Sequence, residues 1–309
     1  MRKFIVSDLH GNGEVYDSIM AYLENIALLD EVHLYINGDL IDRGFDSLRM
    51  ILDAKERIEG KGFIHIHYLA GNHELMMYDA LRKRKPGKNV PFWNDWIQNG
   101  GWVIEGETEC MDDGEEVLDS LRDFAGELKI YHLFSETILN NPIVLVHAQP
   151  PKTILKECPL RIKDDDFSVF SSVWKRENSS SEWGLLGRLM GNPHLGKEGY
   201  FTIIGHTPVN NSKGFLYNSK ENYLNIDGGC SAYATGFFQY DHVPLVEIED
   251  GLLTILVFNH NNEIINGFSF DGGLHRLEED TLNKKRVFLD PNLNGNGEEN
   301  KNKILEFLK

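Results

Sequence analysis

Two stretches, KFIVSDLHG at residues 3–11 and VHLYINGDLIDRG at residues 32–44, decide how this 309-residue chain folds. Each is an apolar run of strand length that ends in a polar turn containing Asp and Gly. Apolar residues at helical spacing follow both: Val15, Ile19, Leu23 and Ile26 after the first, Leu48, Ile51 and Leu52 after the second. Residues 63–70 repeat the plan and deliver Gly71-Asn72-His73. Three strand-loop-helix units in succession predict a parallel or mixed sheet covered by helices, an α/β fold. Ligands in such sheets bind beyond the carboxyl ends of the strands, where these polar turns fall.

Residues 75–136 read as helices and loops, with an aromatic cluster at Phe92, Trp93, Trp96 and Trp102 that suits core or lid packing. Val117, Leu121, Phe124 and Leu128 mark one face of a further helix. After Asn141 the pattern changes to strands, at 143–146, 201–204, 223–226, 245–248 and 252–258, expected to form a second sheet. The division is a catalytic domain over 1–282, with a lid insertion at about 76–140, and a tail or docked helix over 283–309.

Composition narrows the partners. With 48 acidic against 31 basic residues, the field of the chain repels polyanions, which argues against nucleic acid and anionic lipid. The basic run Arg82-Lys83-Arg84-Lys85 reads as a solvated loop. No apolar run approaches the roughly 18 residues of a membrane span, and the N-terminus shows no signal pattern, so a cytoplasmic location is expected. Three widely spaced cysteines, Cys110, Cys158 and Cys230, indicate neither a disulfide framework nor a zinc ribbon.

The chemistry sits in five segments: Asp8-Leu9-His10-Gly11, residues 38–44 (GDLIDRG), Gly71-Asn72-His73-Glu74, Val146-His147-Ala148 and Gly205-His206-Thr207-Pro208. They supply oxygen and imidazole donors suited to borderline divalent ions, and Asp39 is the best carboxylate to bridge two of them. Each segment alone is weak, but five in order, each at a strand end, form a strong signal.

Together they resemble the calcineurin-type metallophosphoesterases, and within them the phosphoprotein phosphatase group, whose DxHG, GDxxDRG, GNHE, H(G/A) and GHT pattern is matched throughout. VHAQP at 146–150, WIQNGG at 96–101, WKR at 174–176 and DGGC at 227–230 are similar to the bacterial branch that includes phage lambda phosphatase and symmetrical diadenosine tetraphosphatases. The resemblance spans about residues 1–235. It implies two mixed sheets packed as a central sandwich flanked by helices. It also implies two metal ions, manganese first with iron or zinc as alternatives, one held by Asp8, His10 and Asp39 and the other by Asp39, Asn72, His147 and His206. A hydroxide shared by the ions would attack phosphorus in line, His73 would protonate the leaving oxygen, and Asp42 would orient His73. Arg43 would grip the phosphoryl oxygens, with Arg176, ahead of Arg188, as a second clamp. Glu74 reads as a turn-stabilising residue, and His33, His65, His67 and His132 as structural or exposed.

The expected activity is hydrolysis of phosphoserine and phosphothreonine, extending to phosphotyrosine and small phosphoesters. The alternative is hydrolysis of a dinucleoside tetraphosphate. A non-catalytic binding module is the third possibility, and the intact set of ligands, acid and Arg43 argues against it. The sequence leaves the oligomeric state open.

Overall fold

A computed structural model describes residues 1–60, 62–83, 91–164, 167–174, 195–209, 211–230, 242–259, 261, 263–270, 273–289 and 297–307. Strand β1 (Arg2–Val6), helix α1 (Gly13–Ala27), β2 (Val32–Asn37), α2 (Ser47–Ile58), β3 (Ile64–Leu69) and α3 (Asn72–Arg82) form the three expected units. β1, β2 and β3 are parallel neighbours, with Ile5 beside Tyr35 and Leu34 beside Ile66. Their alternation explains the continuous apolar runs: Phe4 and Val6 face the helices, while Ile5 points into the opposite layer.

That opposite layer is a second sheet. It contains β4 (Tyr131–Ile138), β5 (Asn141–Val146), β6 (Phe201–Ile204), β7 (Leu216–Asn218) and β8 (Tyr223–Asn225), in the order β4-β5-β6-β8-β7. Ile143, Leu145, Phe201 and Ile203 meet Ile5, Tyr35 and Leu69 between the sheets. Each such fully buried side chain contributes about 1.5–3 kcal/mol of transfer free energy. Helices α4 (Pro91–Trp96), α5 (Trp102–Glu109), α6 (Gly114–Gly126) and α7 (Phe167–Trp174) and a π-helical turn at Ile97–Gly101 join the helical layers. The mixed two-sheet sandwich flanked by helices is the fold expected above.

Two expectations are corrected. Tyr131–Ile138 is a strand, although residues 75–136 read as helical, because its pairing with β5 comes from across a turn. Strands β9 (Val243–Glu249) and β10 (Leu252–Phe258) belong to the first sheet and not the second. β9 runs antiparallel to β1, with Phe4 beside Glu247, and the sheet continues through β10, β11 (Ile264–Phe270) and β12 (Leu274–Arg276). The buried Glu247 accounts for the placement: Arg2 of β1 pairs with one carboxylate oxygen and Lys285 with the other, at 2.6 Å. A buried carboxylate without such partners would be costly.

Lys285 lies on α8 (Glu279–Arg286), which runs into a 3-10 turn over Val287–Leu289. There the Phe288 ring meets Tyr22 of α1 at 5.8 Å, and Asn25 donates to its carbonyl oxygen at 2.9 Å. A last helix, α9 (Gly297–Phe307), buries Ile304. Among the described residues no helix is long and apolar enough to cross a membrane.

Candidate functional site

Every motif residue that the structure describes lies just past the end of a central strand. Asp8 and His10 follow β1, Asp39, Asp42 and Arg43 follow β2, and Asn72 and His73 open α3 after β3. His147 follows β5 and His206 follows β6. The backbone there is forced. Asp8, His10, Asp39, Asp42, Arg43 and His206 all have φ between 47° and 74°. They are six of the ten non-glycine residues with positive φ among those described. Left-handed backbone at non-glycine residues costs about 1–3 kcal/mol each and gathers where surrounding structure holds a functional geometry. Gly38 has φ +77°, and a Cβ on it would stand 2.5 Å from Gly71 Cα, so the two turns can touch only without a side chain.

Asp39 is the hub. Its Oδ2 lies 3.4 Å from His147 Nε2, 3.6 Å from His10 Nε2 and 4.0 Å from His73 Nε2. Its other oxygen accepts the His73 backbone N–H at 3.0 Å. The ligand atoms of His10, Asp39 and His73 lie within 4.8 Å of one another, as do those of Asp39, His147 and His206. Asn72 Oδ1 is 3.2 Å from His147 Nε2, and both Asp8 oxygens accept the His206 backbone N–H at 3.0 and 3.1 Å.

Hydrogen bonds fix which imidazole nitrogens carry lone pairs. His147 Nδ1–H donates to Asn37 O at 2.8 Å, which leaves its Nε2 basic and facing Asp39. The Arg43 guanidinium donates to His10 Nε2 and His73 Nε2, both at 3.0 Å, so in these two rings Nδ1 holds the proton. Those protons go to Ile41 O at 3.2 Å and Asp42 Oδ2 at 2.7 Å. His206 Nε2–H donates to Trp174 O at 3.1 Å, making Nδ1 its lone-pair nitrogen.

The electrostatics ask for positive charge. Burial raises Asp8 well above the usual carboxylate range, with Asp227 adding to the effect. Burial likewise pushes Asp227 up to about 6, with Asp39 adding repulsion. Burial alone would raise Asp39 too, but His147, His73 and His10 hold it well below the usual range. Burial opposes a proton on His147, yet Asp39 and Asp8 prevail and hold its pKa up to about 10. A pocket with such affinity for a proton on a neutral ligand is also one for a divalent cation, which competes for the same lone pair. The residues therefore fit a metal pair, with nitrogen and oxygen donors converging on one shared carboxylate.

Three residues that sequence reasoning left without a role, or with only a modest one, hold this geometry. Trp96 is fully buried and donates from Nε1 to Asp42 Oδ1 at 3.0 Å, so Asp42 is pinned on both oxygens. Glu74 accepts the N–H groups of Asp39 and Gly71 at 2.9 Å and Leu40 at 3.1 Å, and the Tyr68 hydroxyl at 2.7 Å. It staples the second turn to the third, the role its sequence position suggested. Asp227, in the DGGC segment, is a further buried carboxylate whose charge, with that of Asp39, acts on Asp8. Its place in the DGGC motif, two residues past β8, was the signal in the sequence. Arg176, Arg188, and Arg84 and Lys85 of the basic run lie outside the described residues.

The profile of the calcineurin-like phosphoesterase family matches residues 1–285. A search of curated proteins finds no match. Solved structures with a similar course include a serine/threonine phosphatase from Saccharomyces cerevisiae, at 13% identity and TM-score 0.48 over 81% of this chain and 73% of that one. A candidate diadenosine tetraphosphatase is 15% identical, with TM-score 0.47 over 83% of this chain and 93% of its own. A cold-active protein tyrosine phosphatase from Shewanella is 16% identical, with TM-score 0.42 over 87% and 80%. At such distances these likenesses say nothing about substrate. With the family match spanning almost the whole chain, the protein belongs to the calcineurin-like phosphoesterases, hydrolases of phosphoester bonds that use a dinuclear metal site.

Proposed function

We propose that the protein is a metal-dependent phosphomonoesterase whose first substrate class is phosphoserine and phosphothreonine in proteins, extending to phosphotyrosine and small phosphoesters. The observation that carries this is the convergence of four imidazoles and an amide around the single buried carboxylate of Asp39. Asp8, His10 and Asp39 would hold one ion and Asp39, Asn72, His147 and His206 the other, with manganese the first choice and iron or zinc the alternatives. Bound there, two divalent cations would supply an acidified water and neutralise charge on the phosphoryl oxygens.

The chain's own groups do the rest. Arg43 spans His10 and His73; with the His10 Nε2 lone pair on an ion and His73 Nε2 protonated, the guanidinium N–H groups that now donate to them would turn to an arriving phosphoryl group. His73 Nε2 faces the centre and, when protonated, delivers its proton to the leaving oxygen. Asp42 accepts Nδ1–H and balances the imidazolium, while Trp96 keeps the carboxylate from rotating away. Arg176 is proposed as a second phosphate clamp on its motif alone.

Hydrolysis of a dinucleoside tetraphosphate is the second reading, and one feature favours it. Phe45 and Trp102 are exposed by 74% and 49%, and their rings meet edge to face at 5.9 Å. They flank the Arg43–Gly100 contact, where a nucleobase or an aromatic side chain can stack. The test strips the protein with chelator, restores manganese and compares turnover of a phosphothreonine peptide with that of diadenosine tetraphosphate. Higher kcat/KM on the peptide supports the first reading. Preference for the dinucleotide replaces it with the second, and activity unaffected by chelator defeats both.

A further inference from the structure

Strands β2 and β3 also carry histidines at their amino ends, roughly 15–20 Å from the Asp39 turn by strand rise. His33 and His65 are the second residues of these strands and direct neighbours in the parallel register. Glu31 stands just before β2. Its Oε1 is 3.2 Å from His33 Nε2 and 3.8 Å from His65 Nε2, and the three ligand atoms lie within 4.8 Å of one another. Ligands bound tetrahedrally to one zinc ion at about 2.0–2.1 Å stand roughly 3.3 Å apart, so little adjustment is needed.

We propose that Glu31, His33 and His65 form a separate surface site for a borderline divalent cation of the zinc class.

A supporting shell is in place. His33 Nδ1 lies 2.9 Å from His67 Nε2 with the rings nearly parallel, at 8°. With an ion at Glu31, donation of His33 Nδ1–H to His67 would leave the His33 Nε2 lone pair for the ion, the arrangement a ligand imidazole requires. His67 is itself held by Tyr35, stacked at 4.4 Å, and by His132 at 6.2 Å. Lys129 bears on His67 from the cationic side, and its ammonium is 3.8 Å from Glu157. Two imidazoles and one carboxylate leave coordination positions open to water, because Glu31 and His65 are more than half exposed. Zinc, nickel and copper suit this donor set better than magnesium or calcium. β3 is the edge strand of its sheet, so the ion would tie that edge to β2 and the preceding turn. Its effect belongs to stability, since a cation that binds only the folded chain raises the melting temperature.

The test is equilibrium dialysis of the full chain against zinc followed by elemental analysis. The same is done for a His33→Gln/His65→Gln double variant and for Glu31→Gln, which leaves both imidazoles and the strand faces intact. The wild type is expected to retain one zinc more than the double variant. In Glu31→Gln the dissociation constant of that ion should rise by at least about tenfold. Manganese-supported turnover should be unchanged in both variants, and zinc should raise the wild-type melting temperature more than either variant's. Equal zinc counts in wild type and double variant, or wild-type affinity in Glu31→Gln, would overturn the proposal. The readout is a difference in ion count, so it fails or stands independently of the central pair.

Discussion

The two ends of β2 and β3 carry similar side chains on very different backbone. At the carboxyl ends the residues are buried, the turns are left-handed, and each imidazole nitrogen is assigned by a neighbour. At the amino ends His33, His65 and His67 sit on regular strand, half-buried or exposed. The pKa shifts differ as well: at the carboxyl ends carboxylates hold His147 up to about 10 while burial, with His73 and Arg43, keeps His10 well below the usual histidine range, whereas burial, aided by neighbouring cations, pushes His67 and His132 down to about 4. One end concentrates negative charge in a dry, rigid frame that can position a reaction. The other offers ligands on regular, partly solvent-facing strand that can bind an ion.

Changes at the carboxyl ends should therefore cost turnover and changes at the amino ends should not. Asp39→Ala is expected to have the largest effect, with both central ions lost and no detectable turnover; an active variant would remove Asp39 as the shared ligand. His73→Asn should lower kcat by about 10²–10⁴-fold with the ions retained, as general acid catalysis predicts. A variant with unchanged kcat would leave the proton donor unassigned. Trp96→Phe frees one oxygen of Asp42 and should lower kcat by about tenfold while altering the pH profile, as loss of a supporting hydrogen bond does. A change in KM alone would show that Trp96 merely fills space. Glu74→Gln places an amide among three backbone N–H donors, and chemical denaturation should show about 1–3 kcal/mol less stability.

The smallest effect lies at the other end. His132 has its pKa depressed from 6.5 to about 4 by burial and then by Lys129 and Lys3. Above pH 6.5 it is neutral folded or unfolded. As pH falls toward 4 the unfolded chain takes up a proton that the folded one refuses, so stability declines across that window and then levels. His132→Gln should flatten this part of the stability profile; an unchanged slope would place the effect elsewhere.

Much of this was legible in the sequence because it is local. Strand, polar turn and helix are consecutive from Arg2 to Arg82, and the turn residues announce themselves by type and spacing. What escaped is non-local. The pairing of β9 with β1 joins residues more than two hundred positions apart, and no periodicity encodes it. Trp96 read as packing because its ring does pack, while its single N–H happens to reach Asp42. The histidines of β2 and β3 alternate as any strand residues do, and only the parallel register brings His33 beside His65.

Asp39 is proposed to join two ions at one catalytic centre. The most direct measurement is the electron paramagnetic resonance spectrum of wild type and Asp39→Ala loaded with two equivalents of manganese, read alongside turnover of a phosphomonoester. An exchange-coupled manganese pair is expected in the active wild type, and uncoupled manganese without turnover in the variant. Full turnover in a wild-type sample whose spectrum shows only isolated manganese would contradict it.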